Sequence, residues 1–426
     1  MSQRILNVSE RALGQQKQAG RLFYIALRTA ERYLKAVKKG KCPRRLTTDK
    51  MSSKKESQTR PVFYRLRPLD SLLVAVPLAF FVHFLPGWKN ETLLFFISGT
   101  ALIPLAAWLG RATEHLSARA GPGIGGLLNA TLGNAPELIL SLAALSKGLI
   151  VIVKASITGA ILGNILLVLG TAILAGGTRF PHQRFNQTAS RIAATSLCLA
   201  VIGLIIPTIF HAATARQSGD WSSRATQNLS LAVALVLFVT YILWLVFSLI
   251  THRDLFMGTD LSDLAVKERQ KSAWPAFNAF IVLALAAIFI AVMSEFLAGS
   301  AEATCKSLGL TEVFAGVIIV AVIGNASEFT AVAAAIKNQM DLSLSIAVGS
   351  SLQIALFITP VLIFVFYLFG LRMTLEFSLP EVAALTLAVG IVVLISGDGE
   401  CNWFEGAQLL AVYLIIAVLF FFLPGG

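Results

Sequence analysis

Long apolar segments recur along most of the 426-residue chain and are separated only by short polar breaks. A helix needs about 20 mostly apolar residues to span a bilayer. Segments that approach or exceed this length occupy residues 70–86, 91–111, 123–146, 149–175, 190–211, 228–250, 275–298, 311–336, 341–369, 379–397 and 405–424. The sequence therefore predicts an all-α polytopic membrane protein with about eleven transmembrane helices.

The composition excludes several other classes of protein. Hydrophobic residues make up 56% of the chain and charged residues only 14%, whereas soluble domains carry about 25% charged residues. This balance argues against a soluble enzyme, a disordered chain or a nucleic-acid-binding protein. Four cysteines lie far apart in the sequence, which predicts free thiols rather than disulfides or a zinc site. They are Cys42, Cys198, Cys305 and Cys401.

Nearly all of the excess positive charge lies at the start of the chain. Residues 1–65 carry 17 Lys and Arg against 4 Asp and Glu, while the remainder has a net charge of −1. We expect residues 1–66 to form a basic, disordered or cytoplasmic tail, with Met51 as an alternative start of translation. The membrane body then divides into residues 67–250, a loop at 251–274, and residues 275–426. Basic residues favour the cytoplasmic side, so the N-terminus is predicted to be cytoplasmic.

Two stretches of the membrane body resemble each other. GNAPELILSLAAL (133–145) precedes ITGAILGNILLVLG (157–170), and GNASEFTAVAAAI (324–336) precedes SIAVGSSLQIALF (345–357). An offset of 191 residues pairs Glu137 with Glu328, and a two-residue gap then pairs Asn164 with Gln353. Each copy belongs to a block of five predicted spans. Because an odd number of spans reverses orientation, we predict one extra N-terminal helix followed by two inverted five-helix repeats.

The paired motifs place acidic residues inside apolar helices. A carboxylate at the bilayer centre costs roughly 2.5–3.5 kcal/mol on insertion scales. One such Glu could be a hydrogen-bonded packing residue, but Glu137 and Glu328 at equivalent positions favour a functional site. The pairs Gly133–Asn134 and Gly324–Asn325 are expected to break the helices, because glycine permits unusual torsions and close approach. Pro136 removes one backbone donor and is expected to sharpen the first break.

The residue types at the breaks indicate which ions the site binds. Carboxylate, amide and backbone oxygens without His or Cys suit Ca²⁺ better than zinc or copper. Two neighbouring carboxylates can also hold protons, since burial and like charge disfavour the ionised forms. The same site can therefore bind one divalent cation or protons, which is what exchange requires.

The two motifs resemble the paired signatures of the calcium/proton exchanger (CAX) family within the cation/calcium exchanger superfamily. The similarity covers roughly residues 67–424 and includes GGLLNATLGNAPELI (125–139) and the long stretch 294–328. The resemblance implies an antiporter that exchanges cytosolic Ca²⁺ for H⁺ by alternating access at a midplane site of two glutamates. Glu137 and Glu328 would bind the ions. Other residues would complete or border the site, namely Asn134, Asn325, Asn164, Gln353, Ser350 and Ser351. Glu295, Glu302 and Glu114 would line the cation access paths.

Departures from the family pattern leave an alternative open. Phe329 stands where many members have His, and Pro136 resembles the sodium/calcium branch. The alternative function is therefore a Na⁺/Ca²⁺ or other cation exchanger on the same fold. An enzyme is not expected, since the five His residues form no catalytic grouping, and a buried carboxylate pair fits alternating access better than a channel.

The remaining expectations concern partners and location. No cofactor and no nucleic-acid partner are expected. The partners are Ca²⁺, H⁺ and the lipid bilayer, and the sequence leaves the oligomeric state open. The predicted location is the inner membrane of a prokaryotic cell, or a vacuolar-type membrane of a eukaryote.

Overall fold

A computed structural model describes residues 68–85, 90–214, 220–252, 255, 273–370 and 373–424. The predicted tail 1–66 and almost all of the predicted loop 251–274 lie outside these residues. Within the described part, seven helices are long and apolar enough to cross a membrane, and three shorter apolar helices accompany them. The polytopic helical fold is therefore confirmed, whereas the count of eleven spans stays a prediction.

The first half of the fold contains helices α1 to α7. A short 3₁₀ helix (Pro68–Val74) precedes α1. The helices are α1 (Ala75–Phe84), α2 (Glu91–Ala120), α3 (Pro122–Leu132), α4 (Ala135–Ser146), α5 (Ile150–Gly177), α6 (Gln187–Thr214) and α7 (Asp220–Val246). A two-residue strand, β1 (Gln183–Arg184), lies between α5 and α6.

The second half repeats this order without an equivalent of α1. Its helices are α8 (Ala276–Leu308), α9 (Glu312–Gly324), α10 (Thr330–Ala335), α11 (Met340–Leu368), α12 (Leu379–Ile395) and α13 (Trp403–Phe422). Strand β2 (Glu400–Cys401) precedes α13. The broken pair α3–α4 therefore corresponds to α9–α10, and α5 corresponds to α11.

Helices α2 and α8 pack side by side in opposite directions. Near the start of α2, the hydroxyl of Thr92 lies 2.8 Å from that of Ser307, close to the end of α8. At the other end of α2, the Arg119 guanidinium donates to the carbonyls of Ala273 and Trp274, which precede α8. Since each helix opens its own half, equivalent helices run in opposite directions, as an inverted repeat requires.

The loops fall on two faces, which we call the Arg119 face and the Lys147 face after residues at the ends of α2 and α4. On the Arg119 face, β1 pairs with β2 in antiparallel register, and the Gln183 amide donates to the Ala335 carbonyl at 3.1 Å. On the Lys147 face, residues 373–378 hydrogen bond to α5, α6 and α7. Contacts therefore join the two halves at both faces.

The centre of the fold is formed mainly by α5 and α11. Ile161, Leu162 and Ile165 of α5 and Leu352 and Leu356 of α11 have no exposed side-chain surface. Helices such as α7, α8 and α13 instead leave many large apolar side chains exposed. Helices that are apolar all round suit the protein interior, whereas exposed apolar surface on the outer helices suits contact with lipid.

Helices α2 and α8 are longer than the sequence predicts. The predicted spans end at residues 111 and 298, but the helices continue to Ala120 and Leu308. Their last turns carry charged residues, so hydropathy alone cannot reveal them. Each helix ends at a glycine with positive φ, Gly121 at 84° and Gly309 at 67°, a conformation that glycine adopts without strain.

Candidate functional site

The first break in the membrane body separates α3 from α4. Leu132 ends α3, Gly133 and Asn134 form a turn, and α4 begins at Ala135. Pro136 occupies the first turn of α4, where a missing N–H costs no helical hydrogen bond. Glu137 lies in the same first turn and is 7% exposed. The break therefore places a buried carboxylate at the N-terminal end of a helix.

The second break is longer than the first. Helix α9 ends at Gly324, residues 325–329 form a turn, and α10 begins at Thr330. Glu328, which is 5% exposed, lies within this turn. Its N–H donates to the Asn325 carbonyl at 3.2 Å, and its own carbonyl accepts from Ala331 at 2.9 Å. The two carboxylates therefore have different backbone settings despite their matching motifs.

The motif glycines provide space rather than unusual torsions, which corrects one expectation from the sequence. Gly133 has helical torsions (φ −56°, ψ −42°), and Gly324 is not among the described glycines with positive φ. A Cβ added at Gly324 would lie 3.7 Å from Cγ of Glu137. The glycine of the second motif thus lets the carboxylate of the first motif approach the second break.

Four π-helical turns occur among the described residues, and two of them interrupt the central helices α5 and α11. The sequence did not reveal them. Residues Gly163–Val168 form one π turn in α5, and Ile354–Ile358 form another in α11. Asn164 lies inside the first turn, and Gln353 immediately precedes the second. Single π turns occur frequently at functional sites because they alter the direction of side chains. The paired positions Asn164 and Gln353 therefore share an unusual backbone setting.

A network of hydrogen bonds links the first break to α11. The Asn134 amide donates to Oε1 of Gln353 at 2.8 Å and to the Ser350 carbonyl at 3.4 Å. The Ser350 hydroxyl lies 2.7 Å from Oδ1 of Asn134 and 3.4 Å from Oε1 of Glu328. Because a hydroxyl has one hydrogen, the shorter contact to Asn134 is the stronger. Ser327 adds a second hydroxyl, 2.9 Å from Oε2 of Glu328.

A reciprocal contact links the second break to α5. The Asn325 amide donates to the Ala160 carbonyl at 3.0 Å. A Cβ at Gly163 would lie only 2.4 Å from that amide nitrogen, so α5 needs a glycine there. Each broken segment therefore uses its motif Asn to contact the central helix of the other repeat: Asn134 reaches α11, and Asn325 reaches α5.

Several buried oxygen atoms at the breaks have no hydrogen-bond partner among the described residues. They are both carboxylate oxygens of Glu137 and the amide oxygens of Asn325 and Asn164. The negative charges of Glu137 and Glu328 lie close enough to repel each other. Unpaired buried acceptors are rare in proteins, and uncoordinated oxygen atoms suit a hard cation such as Ca²⁺. In the part of the chain that the structure describes, no group of three or more His, Cys, Asp or Glu could hold a metal, so the cluster has two carboxylates only.

The other predicted site residues lie outside this hydrogen-bonded cluster. The Ser351 hydroxyl donates to the Ala347 carbonyl of its own helix at 3.0 Å. Glu295 pairs with Lys147 at the end of α4, and Glu302 pairs with Lys306 of its own helix at 2.5 Å. Glu114 is exposed on α2. The structure thus brings together Glu137, Glu328, Asn134, Asn325, Gln353 and Ser350, with Asn164 buried on α5.

The fold and these residues define the class of protein. Two inverted halves, broken helices with buried acids, and polar contacts between the halves are features of secondary transporters built from inverted repeats. The molecule is therefore a polytopic membrane transporter of that architecture.

Comparison with known proteins identifies the family. The sequence profile of the sodium/calcium exchanger protein family matches residues 90–250 and 278–422, and the chain belongs to this family. A Ca²⁺/H⁺ antiporter of Synechocystis sp. is 46% identical over 368 residues, covering 83% of this chain and 96% of the relative. The Ca²⁺/H⁺ antiporter ChaA of Bacillus subtilis is 43% identical over 356 residues, covering 83% and 98%. The solved structure of native YfkE matches with a TM-score of 0.70 and 38% identity, covering 83% of this chain and all of that one.

Proposed function

We propose that this protein exchanges cytosolic Ca²⁺ for H⁺ at a site formed by Glu137 and Glu328. The observation that carries the proposal is the buried acidic pair at the two helix breaks, whose Glu137 oxygens accept no hydrogen bond from the described residues. Similarity to relatives named as Ca²⁺/H⁺ antiporters supports the choice of ions. Asn134, Asn325 and other buried amides and hydroxyls would border the site.

In the calcium-bound state, both carboxylates are ionised and coordinate the cation. The charge of the ion removes the repulsion between Glu137 and Glu328, and the free amide oxygens of Asn325 and Asn164 offer further ligands. In the proton-bound state, both carboxyl groups are neutral and no longer attract a divalent cation. Calcium and protons therefore compete for the same oxygen atoms.

This competition couples the two fluxes. A site with two negative charges and no cation is costly in the low-dielectric interior. Rearrangement between the two faces is consequently favoured only when Ca²⁺ or protons occupy the pair. Alternating access of this kind moves Ca²⁺ one way and protons the other.

The charge of the loops favours one orientation of the protein in the membrane, and the orientation in turn sets the direction of transport. We propose that the Arg119 face contacts the cytosol, because the basic tail and most loop Lys and Arg residues are predicted to be on its side. Glu114 on α2 would lie on the access path from this face. Glu295 and Glu302 on α8 would lie on the path to the Lys147 face, where Glu295 must exchange its pairing with Lys147 for a passing cation.

The proposal is tested by calcium uptake into liposomes that contain the purified protein. A pH gradient and a sodium gradient are imposed in separate experiments at the same membrane potential. We expect radiolabelled Ca²⁺ to accumulate when the vesicle interior is acidic, with no stimulation by internal Na⁺. Uptake that requires internal Na⁺ and ignores the pH gradient would instead establish the sodium/calcium alternative.

A further inference from the structure

One buried carboxylate on α12 lies away from the acidic pair, and the proposed exchange does not use it. Glu381, near the start of α12, is 4% exposed. Its Oε2 atom accepts hydrogen bonds from the Ser378 N–H at 2.8 Å and hydroxyl at 2.7 Å, as in a helix capping box. Its Oε1 atom accepts from the hydroxyl of Thr158 on α5 at 3.1 Å. Helix capping accounts for the hydrogen bonds of Oε2, whereas the hydrogen bond of Oε1 joins α12 to α5.

A lysine in the second turn of α5 strengthens the same junction. Lys154 lies one turn before Thr158 on α5, and its ammonium donates to the Glu376 carbonyl at 2.8 Å and to the Thr374 hydroxyl at 3.3 Å. The charges of Glu376 and Glu381 attract it. Lys154 therefore ties α5 to the segment before α12, while Thr158 ties α5 to α12 itself.

The segment 373–378, which we call the strap, is itself fixed to the first half. The Leu375 N–H donates to the Ser230 hydroxyl of α7, and the Phe377 N–H donates to the Thr208 hydroxyl of α6, each at 3.0 Å. His211 of α6 lies 3.0 Å from the carboxylate of Glu376. Because three helices hold the strap, it is a firm support against which α5 can be fixed.

The residues that follow Thr158 on α5 contact the second helix break. A Cβ at Gly159 would lie 2.2 Å from the Val317 carbonyl oxygen of α9, so the two backbones touch. The next residue, Ala160, accepts the hydrogen bond from Asn325. Helix α5 is thus held between Glu381 and the strap on one face and the broken helix α9 on another. A shift of α5 away from α9 would change the position of the Asn325 amide and of Asn164.

The side chains of this junction are not repeated in the other half, where Asp341 of α11 instead accepts a hydrogen bond from the Asn186 N–H before α6. The offset that pairs Asn164 with Gln353 places Ser343 opposite Lys154 and Ala347 opposite Thr158. The third residue of α6, which corresponds to Glu381 in α12, is Ala189. Lys154, Thr158 and Glu381 are therefore particular to this half rather than copies imposed by the repeat.

We propose that Lys154, Thr158 and Glu381 form a polar clamp that positions α5, and with it Ala160 and Asn164, for cation binding. The three residues are positioning residues that do not touch the ion. The inference rests on the proposed function for its transport assay but also predicts a change in calcium affinity.

The test compares Thr158→Val with Thr171→Val. Both substitutions remove a hydroxyl from α5 at nearly constant volume, but within the described residues Thr171 bonds only to the Leu167 carbonyl of its own helix. We expect Thr158→Val to raise the KM for Ca²⁺ about three- to tenfold, the effect of losing one hydrogen bond, with little change in Vmax. Thr158→Ser should restore the KM, and Thr171→Val should leave it unchanged. Glu381→Gln, which keeps the shape but removes the charge, should raise KM like Thr158→Val.

Equilibrium Ca²⁺ binding to the purified protein separates this inference from the proposed function. If the wild-type protein binds Ca²⁺ but shows no pH-driven uptake, the proposed function is wrong, and a raised Kd in Thr158→Val still supports the clamp. A Thr158→Val variant with the Kd and KM of Thr171→Val would overturn the clamp. So would a loss of Vmax or of folded protein with an unchanged KM, because that result indicates a purely structural role.

Discussion

The two signature glutamates share a motif but not an environment. Glu328 receives hydroxyl contacts from Ser327 and Ser350, whereas neither oxygen of Glu137 has a hydrogen-bond partner within the described residues. Hydrogen bonds to a carboxylate favour its ionised form. The structure therefore makes Glu328 the better anchored of the two acids and leaves the Glu137 oxygens free for an incoming ion.

We predict that Glu137→Gln and Glu328→Gln each abolish exchange. An amide keeps the shape of the side chain but can neither carry a transported proton nor offer two anionic oxygens. Uptake of Ca²⁺ driven by a pH gradient should fall more than about a hundredfold, beyond the 10–100-fold typical of an outer-shell partner. Glu400→Gln is a matched control, since this half-exposed residue pairs with Arg184 outside the site. Appreciable exchange in either site variant would contradict the assignment.

For individual residues, the sequence predicts those that occur in both repeats better than those that occur in only one. Glu137 and Glu328 are recognisable because the tripeptide Gly-Asn-Ala lies shortly before each of them. Asn134 and Asn325 belong to this tripeptide, so the same offset of 191 residues pairs them. Ser327 and Thr158 occur once and have no repeated partner. Glu381 resembles an ordinary helix-capping residue in the sequence, and only the position of α5 shows its second contact. Residues whose role depends on a neighbouring helix cannot be found from spacing within one segment.

Among the helices, the crossing of α5 and α9 is unusually close. Gly159 contacts the Val317 backbone, and Gly316 of α9 lies against Ala155 and the Ile152 carbonyl of α5. Small residues at such a crossing allow two membrane helices to approach closely. The backbone geometry of the site therefore depends on glycines that do not belong to the signature motifs.

Replacing Gly159 with alanine should destabilise the protein. The added Cβ would lie 2.2 Å from a backbone oxygen that no side-chain rotation can move, so the helices must separate at a cost of about 1–3 kcal/mol. Thermal unfolding in detergent should show a lower midpoint for Gly159→Ala. Gly390→Ala in α12 is the control, because nothing lies within 4 Å of its added Cβ and alanine favours a helix. Equal midpoints for the two variants would contradict the close crossing.

A second prediction about helices and loops concerns the strap, residues 373–378. Ser230→Ala should leave the buried Leu375 N–H without its acceptor, at a cost of about 1–3 kcal/mol. The comparison is Thr240→Ala on the same helix. Its exposed hydroxyl bonds only to the Val236 carbonyl in the part of the chain that the structure describes. That change should alter stability by less than about 0.5 kcal/mol. Denaturation midpoints that do not differ would mean that the hydroxyl contributes nothing to holding the strap.

The apolar runs predict most helices because continuous hydrophobic sequence of this length has few other stable conformations in a bilayer. The polar last turns of α2 and α8, the π turns and the small β1–β2 pair are not predictable in this way. They depend on neighbours such as Trp274, which accepts from Arg119, and Gly399, whose carbonyl accepts from Phe185. These neighbours are remote in sequence, so local pattern contains no information about them.

At the scale of the whole molecule, contacts between loops define the Arg119 face and the Lys147 face, and our proposal places the Arg119 face in the cytosol. Labelling with a membrane-impermeant maleimide in a bacterial host tests our proposed orientation. Lys306→Cys near the end of α8 should react in intact cells, and Arg184→Cys on β1 should react only after permeabilisation. Both side chains are highly exposed. The reverse pattern would place the Arg119 face outside.

This labelling experiment requires a starting variant in which three of the four native cysteines are replaced. Cys42, Cys198 and Cys305 are replaced by serine, and Cys401 is retained. Burial and the neighbouring acids Glu405, Asp398 and Glu400 raise the pKa of the Cys401 thiol to about 12. Maleimides react with the thiolate, which is scarce at neutral pH for such a group. Cys401 should therefore stay unlabelled until the protein unfolds.

The broken helices also affect how the chain is made. Helices α3 and α4 contain 11 and 12 residues, so each is about 16–18 Å long and reaches only halfway through a bilayer core of about 30 Å. Glu137 precedes Glu328 by 191 residues. Gly324, which faces Glu137, and Ser350 and Gln353, which bond to Asn134, all belong to the later half. The first acid is therefore synthesised before the residues that complete its site, so the binding site can form only once much of the second half has followed.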